Sequence, residues 1–319
     1  MQNNDFLPAF LFSISVTLPT LLMLILGIVL RARRIIDDRF SGQATKIIFN
    51  ITLPILLFLS IFKNPVDYSQ QIPLLLVGVV GTLVLFLGAE IFATKFVSDK
   101  RERGTFVQGV YRGNNGILGL AFCINAYGSS ALAPASIYAA ALTFLYNILG
   151  VITLSRSLSD GKVSFKKILF NVLKNPLIIG ILLGILASIS QVTFPRTILI
   201  TADYLAGMTL PLALICTGAS IDVKGLFKTS DVSLWASIGR IVVAPIFMVL
   251  VGKVFGITGM HLGIVLLMSS TPLAAAAYAM IRGMGGNAVT AANIIGLTTF
   301  GSMFSSAIGL LFLSQIGWI

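Results

Sequence analysis

Charged residues are scarce in this sequence of 319 residues, where Asp, Glu, Lys and Arg together make up 10%, against roughly 25% in a soluble domain. Hydrophobic residues make up 56%, and the mean hydropathy is +0.97. This excludes an ordinary soluble domain and predicts an integral membrane protein. The net charge of +11 does not indicate nucleic acid binding, because the basic residues fall in short clusters between apolar runs and not on a continuous basic face.

Histidine and cysteine are almost missing as well. The only histidine, His261, falls near the outer end of an apolar segment, and Cys123 and Cys216 fall inside apolar segments, where small buried hydrophobic residues are expected. The sequence has no HExxH motif and no Cys/His cluster, so neither a metal site nor a cofactor is predicted. A membrane-embedded enzyme would need a catalytic dyad at matched depth, such as two aspartates or Ser with His. We therefore expect a protein that is not an enzyme.

Long apolar runs are what the sequence has in abundance. A membrane-crossing helix needs about 20 mostly apolar residues, and ten segments meet this requirement. They are predicted at 6–30, 43–62, 72–96, 105–127, 133–154, 168–190, 197–219, 232–254, 259–281 and 288–313. In the first segment the basic residues follow the apolar run, which indicates a retained helix and not a cleaved signal peptide. The sequence therefore predicts an all-α protein surrounded by membrane lipid.

The basic residues are distributed unevenly between the two sides of these segments. Of the 22 Lys and Arg residues, 17 lie in the connections after odd-numbered segments or at the adjacent segment ends. The other side has 3, namely Lys63, Arg196 and Lys253. Because basic connections stay in the cytoplasm, the distribution predicts a multi-pass protein of the cytoplasmic (inner) membrane with both termini outside.

The two halves of the sequence resemble each other at a constant offset of 157 residues. Thr52-Leu53-Pro54 recurs as Thr209-Leu210-Pro211, Pro19 aligns with Pro176, and the stretch 126–137 aligns with 283–294. Each copy holds five segments, so the second copy enters the membrane from the opposite side. We expect two inverted five-helix repeats, residues 1–157 and 158–319, an arrangement typical of secondary transporters.

Both copies carry helix-breaking residues at equivalent positions in segments 4 and 9. Segment 4 contains Gly113 and Gly116, which weaken a helix, and its Asn115 aligns with Pro272, which removes a backbone donor. Irregular backbone at this depth must be buried in protein or line a wet cavity. We expect the two broken helices to cross near the midplane, with the N-terminal ends of the following half-helices favouring an anion. Close helix packing by the glycines is the alternative.

Ionisable residues inside membrane segments are costly and are usually functional. Arg112 and Arg240 are the deepest cations, and either could hold a substrate carboxylate or pair internally. Glu90 and Asp203 are the acidic candidates for such pairing or for proton coupling. The residues expected to bind substrate are Arg112, Asn114, Asn115, Gly116, Arg240, Thr271 and Pro272.

Four motifs in order give the chain a resemblance to a known family. They are Asn114-Asn115-Gly116-Ile117-Leu118-Gly119, Lys174-Asn175-Pro176-Leu177-Ile178, Leu210-Pro211 followed by Gly218-Ala219-Ser220, and Thr271-Pro272. Together they resemble the auxin efflux carrier family, whose prokaryotic members include organic-acid permeases. The resemblance implies a scaffold of helices 1, 2, 6 and 7, through which homodimers form, and an architecture similar to that of bile-acid symporters. It also implies a transport domain of helices 3–5 and 8–10, with crossing helices 4 and 9.

The chain departs from the plant members of this family, which carry Asn-Pro at both crossings. Here the two positions read Asn115-Gly116 and Thr271-Pro272, and the long cytoplasmic loop of many plant members is missing. We therefore expect a short, prokaryotic-type secondary transporter of a small organic anion, an auxin-like carboxylate or a dicarboxylate, that works by alternating access. The alternative is a cation–proton antiporter or sodium-coupled symporter, which would need paired acidic groups near the crossing. A sensor without transport also remains open.

Overall fold

The computed structural model describes residues 6–63, 68–158, 176–219 and 230–319. These residues are helical almost throughout, and no β-strand occurs among them. By length and composition, six of the helical stretches are suited to crossing a membrane. They are Arg39–Leu59, Gln71–Phe96, Asn115–Leu158, Arg196–Ala219, Asp231–Val254 and Ala288–Gln315. The prediction of an all-helical, multi-pass membrane protein is thereby confirmed.

The described residues form fourteen α-helices. In the first half they are α1 (Phe6–Ala32), α2 (Asp38–Ile47), α3 (Leu53–Phe62), α4 (Tyr68–Phe96), α5 (Lys100–Tyr111), α6 (Leu120–Tyr127) and α7 (Leu132–Leu158). In the second half they are α8 (Pro176–Ile189), α9 (Arg196–Ala219), α10 (Asp231–Ile238), α11 (Ala244–Val254), α12 (Gly259–Ser269), α13 (Ala275–Gly283) and α14 (Ala288–Gln315). Single π-helical turns join α2 to α3 and α10 to α11, and another precedes α6.

Helices overlap every predicted segment, although residues 168–175 of the sixth lie outside the described residues. The motif residues Lys174, Asn175 and Ser220 also lie outside them. Ten membrane crossings, the inverted relation of the two halves and the division into scaffold and transport domain stay predictions.

Polar residues cap several helices at their N-termini. The Asp37 carboxylate accepts a hydrogen bond from Phe40 N at 2.7 Å at the start of α2. The Asn287 side chain accepts from the backbone amides of Val289 and Thr290 at the start of α14. Such caps satisfy amides that have no partner within the helix, so they mark where these two helices begin.

Glycine brings two helix pairs into close contact. α1 packs along α9, and a Cβ at Gly27 or Gly218 would overlap the backbone of the opposite helix. α3 packs along α8 in the same manner at Gly180 and Gly184. Because small residues let helix backbones approach in a membrane, these contacts join the helices of predicted segments 1, 2, 6 and 7.

The other helices surround the two interrupted stretches. α5 packs between α4 and α7, α12 packs on α11, and α14 contacts α10. Aromatic rings fill the space beside the first interruption, where Tyr111 makes edge-to-face contacts with Phe86 and Tyr146. This packing holds the irregular backbone in the interior of the protein.

Candidate functional site

Two interrupted helices meet backbone to backbone in the interior. α5 ends at Tyr111 and helix resumes at Asn115, while α12 ends at Ser269 and helix resumes at Ala275. Between these ends Asn114 N donates to Pro272 O at 2.9 Å, and Ala274 N donates to Arg112 O at 3.3 Å. Gly113 and Leu273 form the antiparallel bridge between these bonds. Residues 112–114 and 272–274 are called the crossing below.

The interruptions occur where the sequence predicts them, and their backbone groups find partners across the crossing. Pro272 offers no N–H, and Leu273 N donates to the Thr298 hydroxyl at 3.1 Å. Gly113 is required by space, because a Cβ there would lie 2.8 Å from Asn115 Oδ1 and still closer to Thr271 Oγ1. These bonds give partners to the amides of Asn114, Leu273 and Ala274, as buried backbone polar groups require.

A cavity of about 470 Å³ borders the crossing. Its lining includes Pro176 at the start of α8, and Phe49 and Asn50 of the π-helical turn that precedes α3. The other lining residues come from the crossing, from the half-helices that follow it and from α7, namely Arg112, Gly113, Asn114, Asn115, Gly116, Ile117, Thr143, Tyr146, Asn147, Ala274, Ala275 and Ala276. The cavity therefore lies between two groups of helices and has the size of a small-molecule site.

Arg112 supplies a cation to this cavity. Its side chain is 3% exposed and donates to Gln108 Oε1 at 2.9 Å and to Asn147 Oδ1 at 2.8 Å. In the described part of the chain no carboxylate forms an ion pair with it. An arginine stays charged in a protein, and a buried charge is costly unless it is paired. The site therefore favours a ligand with negative charge.

The N-termini of both following half-helices add to this preference. Neither N-terminal position, Asn114 or Ala274, has a side chain that caps the helix. The first amides of a helix lack partners within it and carry partial positive charge. Asn115 and Gly116 of one half-helix and Ala275 of the other line the cavity. Three positive features thus meet at one cavity.

Polar neutral groups border the same space. Asn115 Nδ2 donates to the Tyr146 hydroxyl at 3.3 Å, and Asn115 Oδ1 lies 3.2 Å from the Thr271 hydroxyl. Asn50, Thr143 and Asn147 also line the cavity. These amides and hydroxyls can accept or donate hydrogen bonds, which suits an organic ligand with polar substituents.

The structure separates the predicted binding residues into two groups. Four line the cavity, namely Arg112, Asn114, Asn115 and Gly116. The other three do not line it, namely Arg240, Thr271 and Pro272. Arg240 is 1% exposed and donates to backbone carbonyls of residues next to the crossing. Its Nε donates to Thr271 O at 2.9 Å. Of the two alternatives open for Arg240, internal pairing is the one observed.

The acidic candidates for coupling lie in ion pairs away from the cavity. Glu90 Oε2 is 3.3 Å from Arg156 Nη1, and Asp203 accepts from Lys63 Nζ at 2.6 Å. Neither Glu90 nor Asp203 lines the cavity. The sequence placed both carboxylates within apolar segments but did not reveal these partners.

Sequence reasoning missed several lining residues. Asn50, Thr143, Tyr146 and Asn147 come from predicted segments 2 and 5, from which the sequence analysis selected no binding residue. The sequence could have identified Asn50 and Asn147, because a side-chain amide inside an apolar membrane segment is costly unless it forms a hydrogen bond. That both asparagines line the cavity of Arg112 follows only from the packing of the helices.

Comparison with known proteins adds three findings. The sequence model of a family described as "Membrane transport protein" matches residues 162–309. A protein of Methanocaldococcus jannaschii named as an uncharacterized transporter is 29% identical over 270 residues, which is 81% of this chain and 85% of the relative. Another protein with that name, from Methanothermobacter thermautotrophicus, is 24% identical over 272 residues, 83% of this chain and 86% of the relative.

Proposed function

We propose that the chain belongs to the membrane transport protein family, whose model matches residues 162–309, and that it is a secondary transporter of a small organic anion. The observation that carries the proposal is the cavity at the crossing, bordered by the buried Arg112 and two uncapped helix N-termini. A guanidinium group binds a carboxylate through charge-assisted hydrogen bonds. Arg112 has no carboxylate partner among the described residues. The carboxylate of the substrate would be its partner.

The substrate class follows from charge and volume. A cavity of about 470 Å³ accommodates a molecule of the size of an aromatic or aliphatic carboxylate. Asn50 and Asn147 offer amide groups for further oxygen or nitrogen atoms of the substrate. An auxin-like monocarboxylate and a dicarboxylate both satisfy these features, and we propose a small carboxylate as the shared chemistry.

Alternating access is supported by where the cavity lies. Part of the lining comes from α8 and from the turn before α3, which belong to the proposed scaffold, and the rest comes from the crossing, the half-helices that follow it and α7. A movement of one group against the other would change the side from which the cavity is reached. We propose that the scaffold also forms the interface of a homodimer.

The orientation predicted from the charges indicates which state the structure represents. Asn50, Asn147 and Pro176 lie in the halves of their predicted segments that face the cytoplasm. We propose that the cavity corresponds to the state open toward the cytoplasm.

A cation–proton antiporter or sodium-coupled symporter is the alternative function. It needs acidic groups at the crossing, and within the described residues the cavity has no acidic lining. Glu90 and Asp203 have basic partners elsewhere. The charge of the cavity therefore favours the anion.

Counter-flow in proteoliposomes tests the function directly. Liposomes with the purified protein are loaded with an unlabelled carboxylate and given the same labelled carboxylate outside. We expect rapid uptake of label for at least one acid in a panel of monocarboxylates and dicarboxylates. The matched neutral amide of that acid should not exchange, because it lacks the negative charge. Equal exchange of acid and amide would contradict the proposal.

Replacing Asn115 by Leu is expected to weaken anion binding by roughly tenfold to a hundredfold, because a hydrogen bond to a charged group is worth about 1.5–3 kcal/mol. The Thr271→Val variant is the matched control. It removes a hydroxyl that bonds to Asn115 but does not line the cavity, so a smaller loss is expected. Affinity is measured by isothermal titration on purified proteins. Wild-type affinity in Asn115→Leu would place the site elsewhere.

Topology provides an independent prediction. Tags at Met1 and Ile319 should react with an impermeant reagent in intact cells, because the charge distribution places both termini outside. A cysteine introduced into the connection 155–167 is the control and should react only after lysis. The reverse pattern would invert the orientation.

A further inference from the structure

Arg240 joins the C-terminal ends of both interrupted helices. It lies in the π-helical turn Gly239–Val243 between α10 and α11, a type of turn that is frequent at functional sites. Its guanidinium donates to four backbone carbonyls. Nε donates to Thr271 O at 2.9 Å, Nη1 donates to Tyr111 O at 2.7 Å and Val110 O at 3.2 Å, and Nη2 donates to Ser269 O. These four oxygens are called the carbonyl cluster below.

The carbonyl cluster is a cation site by its chemistry. The last carbonyls of a helix have no partner within it and carry partial negative charge, about −0.5 elementary charge for each helix. Two such ends converge here, so one positive charge balances them. In secondary transporters, half-helix C-termini and unwound carbonyls are the groups that coordinate a mobile coupling cation. In this chain the guanidinium of Arg240 occupies the position that such a cation would take.

Among the described residues, no carboxylate forms an ion pair with the guanidinium of Arg240. A cavity of about 10 Å³, large enough for about one water molecule, lies beside it and is lined by Tyr138, Tyr146 and Ser269 among others. No carboxylate of the described residues lines this cavity. The residue at the equivalent position in the first half, at the offset of 157, is Leu83, whose side chain is exposed. A single arginine therefore serves both half-helices.

We propose that Arg240 is a positioning residue that acts as a tethered cation. It holds the ends of α5 and α12 together and thereby keeps Asn115 and the two helix N-termini directed at the substrate cavity. Its removal would leave a vacant site shaped for a planar ion with several N–H donors. A free guanidinium ion would fill that site, whereas Na⁺ lacks the donors and the shape. The effect on substrate rests on the proposed function, but the effect on stability does not.

Chemical rescue tests the proposal. Thermal unfolding and anion affinity are measured for the wild type and for Arg240→Ala, with guanidinium chloride at concentrations far below those that unfold proteins. Parallel samples receive the same concentration of NaCl. Arg240→Ala should unfold at a lower temperature and bind the anion at least about tenfold more weakly. Guanidinium should raise both its unfolding temperature and its affinity, because a ligand stabilises the state that binds it. NaCl should do neither.

The matched control is Arg282→Ala, which removes an exposed arginine from α13. Its stability should stay at the wild-type value and should not respond to guanidinium. Equal responses of Arg240→Ala and the wild type to guanidinium, or equal rescue by NaCl, would overturn the proposal. If no anion binds to any variant, the thermal rescue still tests Arg240 while the counter-flow result alone decides the proposed function.

A second variant covers the case in which Arg240→Ala does not fold. Arg240→Lys keeps the charge but replaces the planar fork by a single ammonium group. It should be obtained as folded protein with an anion affinity between the wild type and complete loss. Wild-type affinity in Arg240→Lys would overturn the requirement for a fork that reaches both half-helices.

Discussion

Anion binding is expected to fall by roughly a hundredfold when Arg112 is replaced by Gln, since a hydrogen bond to a charged group contributes about 1.5–3 kcal/mol and the attraction of the positive charge is lost as well. The glutamine is shorter, and it can keep no more than part of the bonding to Gln108 and Asn147. The affinity for the carboxylate identified by counter-flow is measured by isothermal titration. A neutral amide of the same acid serves as a second ligand.

The arginine's charge, and not its bulk, is what this variant tests. Arg282→Gln is the matched control, because Arg282 is exposed and does not line the cavity. Its affinity should equal that of the wild type. The loss in Arg112→Gln should be confined to the charged ligand. An unchanged affinity for the anion in Arg112→Gln would mean that the helix N-termini alone hold the substrate.

Replacing Gly113 by Ala is expected to abolish anion binding and to destabilise the protein by about 1–3 kcal/mol, the usual cost of inserting atoms into a packed interior. The added Cβ would lie 2.8 Å from Asn115 Oδ1 and 3.3 Å from Arg240 Nη2, and closer still to Thr271 Oγ1. These groups must move apart, and the crossing loses its bridge between Gly113 and Leu273. Thermal unfolding and anion titration measure the two effects.

Gly88→Ala is the control for the general effect of a methyl group on a glycine in a helix. A Cβ at Gly88 would meet nothing within 4 Å, so the substitution should be neutral or stabilising, by up to about 1 kcal/mol. If Gly113→Ala had the same stability and anion affinity as Gly88→Ala, the crossing would have room for a Cβ at position 113. Glycine would then not be required there.

The two buried arginines have different partners, although the sequence does not distinguish them. Both lie deep within predicted segments, and each is almost fully buried. Arg112 bonds to side chains at the edge of the cavity, whereas Arg240 bonds to backbone carbonyls on the other side of the crossing. The first is available to a ligand and the second is not. Carboxylate binding stays a prediction for both residues, and we propose Arg112 as the binding residue because it lines the cavity.

The sequence by itself determined where helices form and where they stop. Apolar runs of membrane length predict helices because backbone polar groups in lipid must bond within the helix. The breaks at Gly113 and Pro272 follow from local chemistry, since glycine weakens a helix and proline lacks the donor. The observed interruptions at 112–114 and 270–274 fall at these residues. Such properties belong to a few neighbouring residues, and the sequence displays them directly.

Only the tertiary structure decided which side chains share the cavity. Asn147 bonds to Arg112 from α7, Asn50 lines the same cavity from the turn before α3, and Arg240 reaches carbonyls of residues 110, 111, 269 and 271. The same holds for the partners of Glu90 and Asp203. In an apolar segment nearly every face is hydrophobic, so periodicity does not mark which face turns inward. Close packing between distant helices makes that choice, and it leaves no pattern in the local sequence.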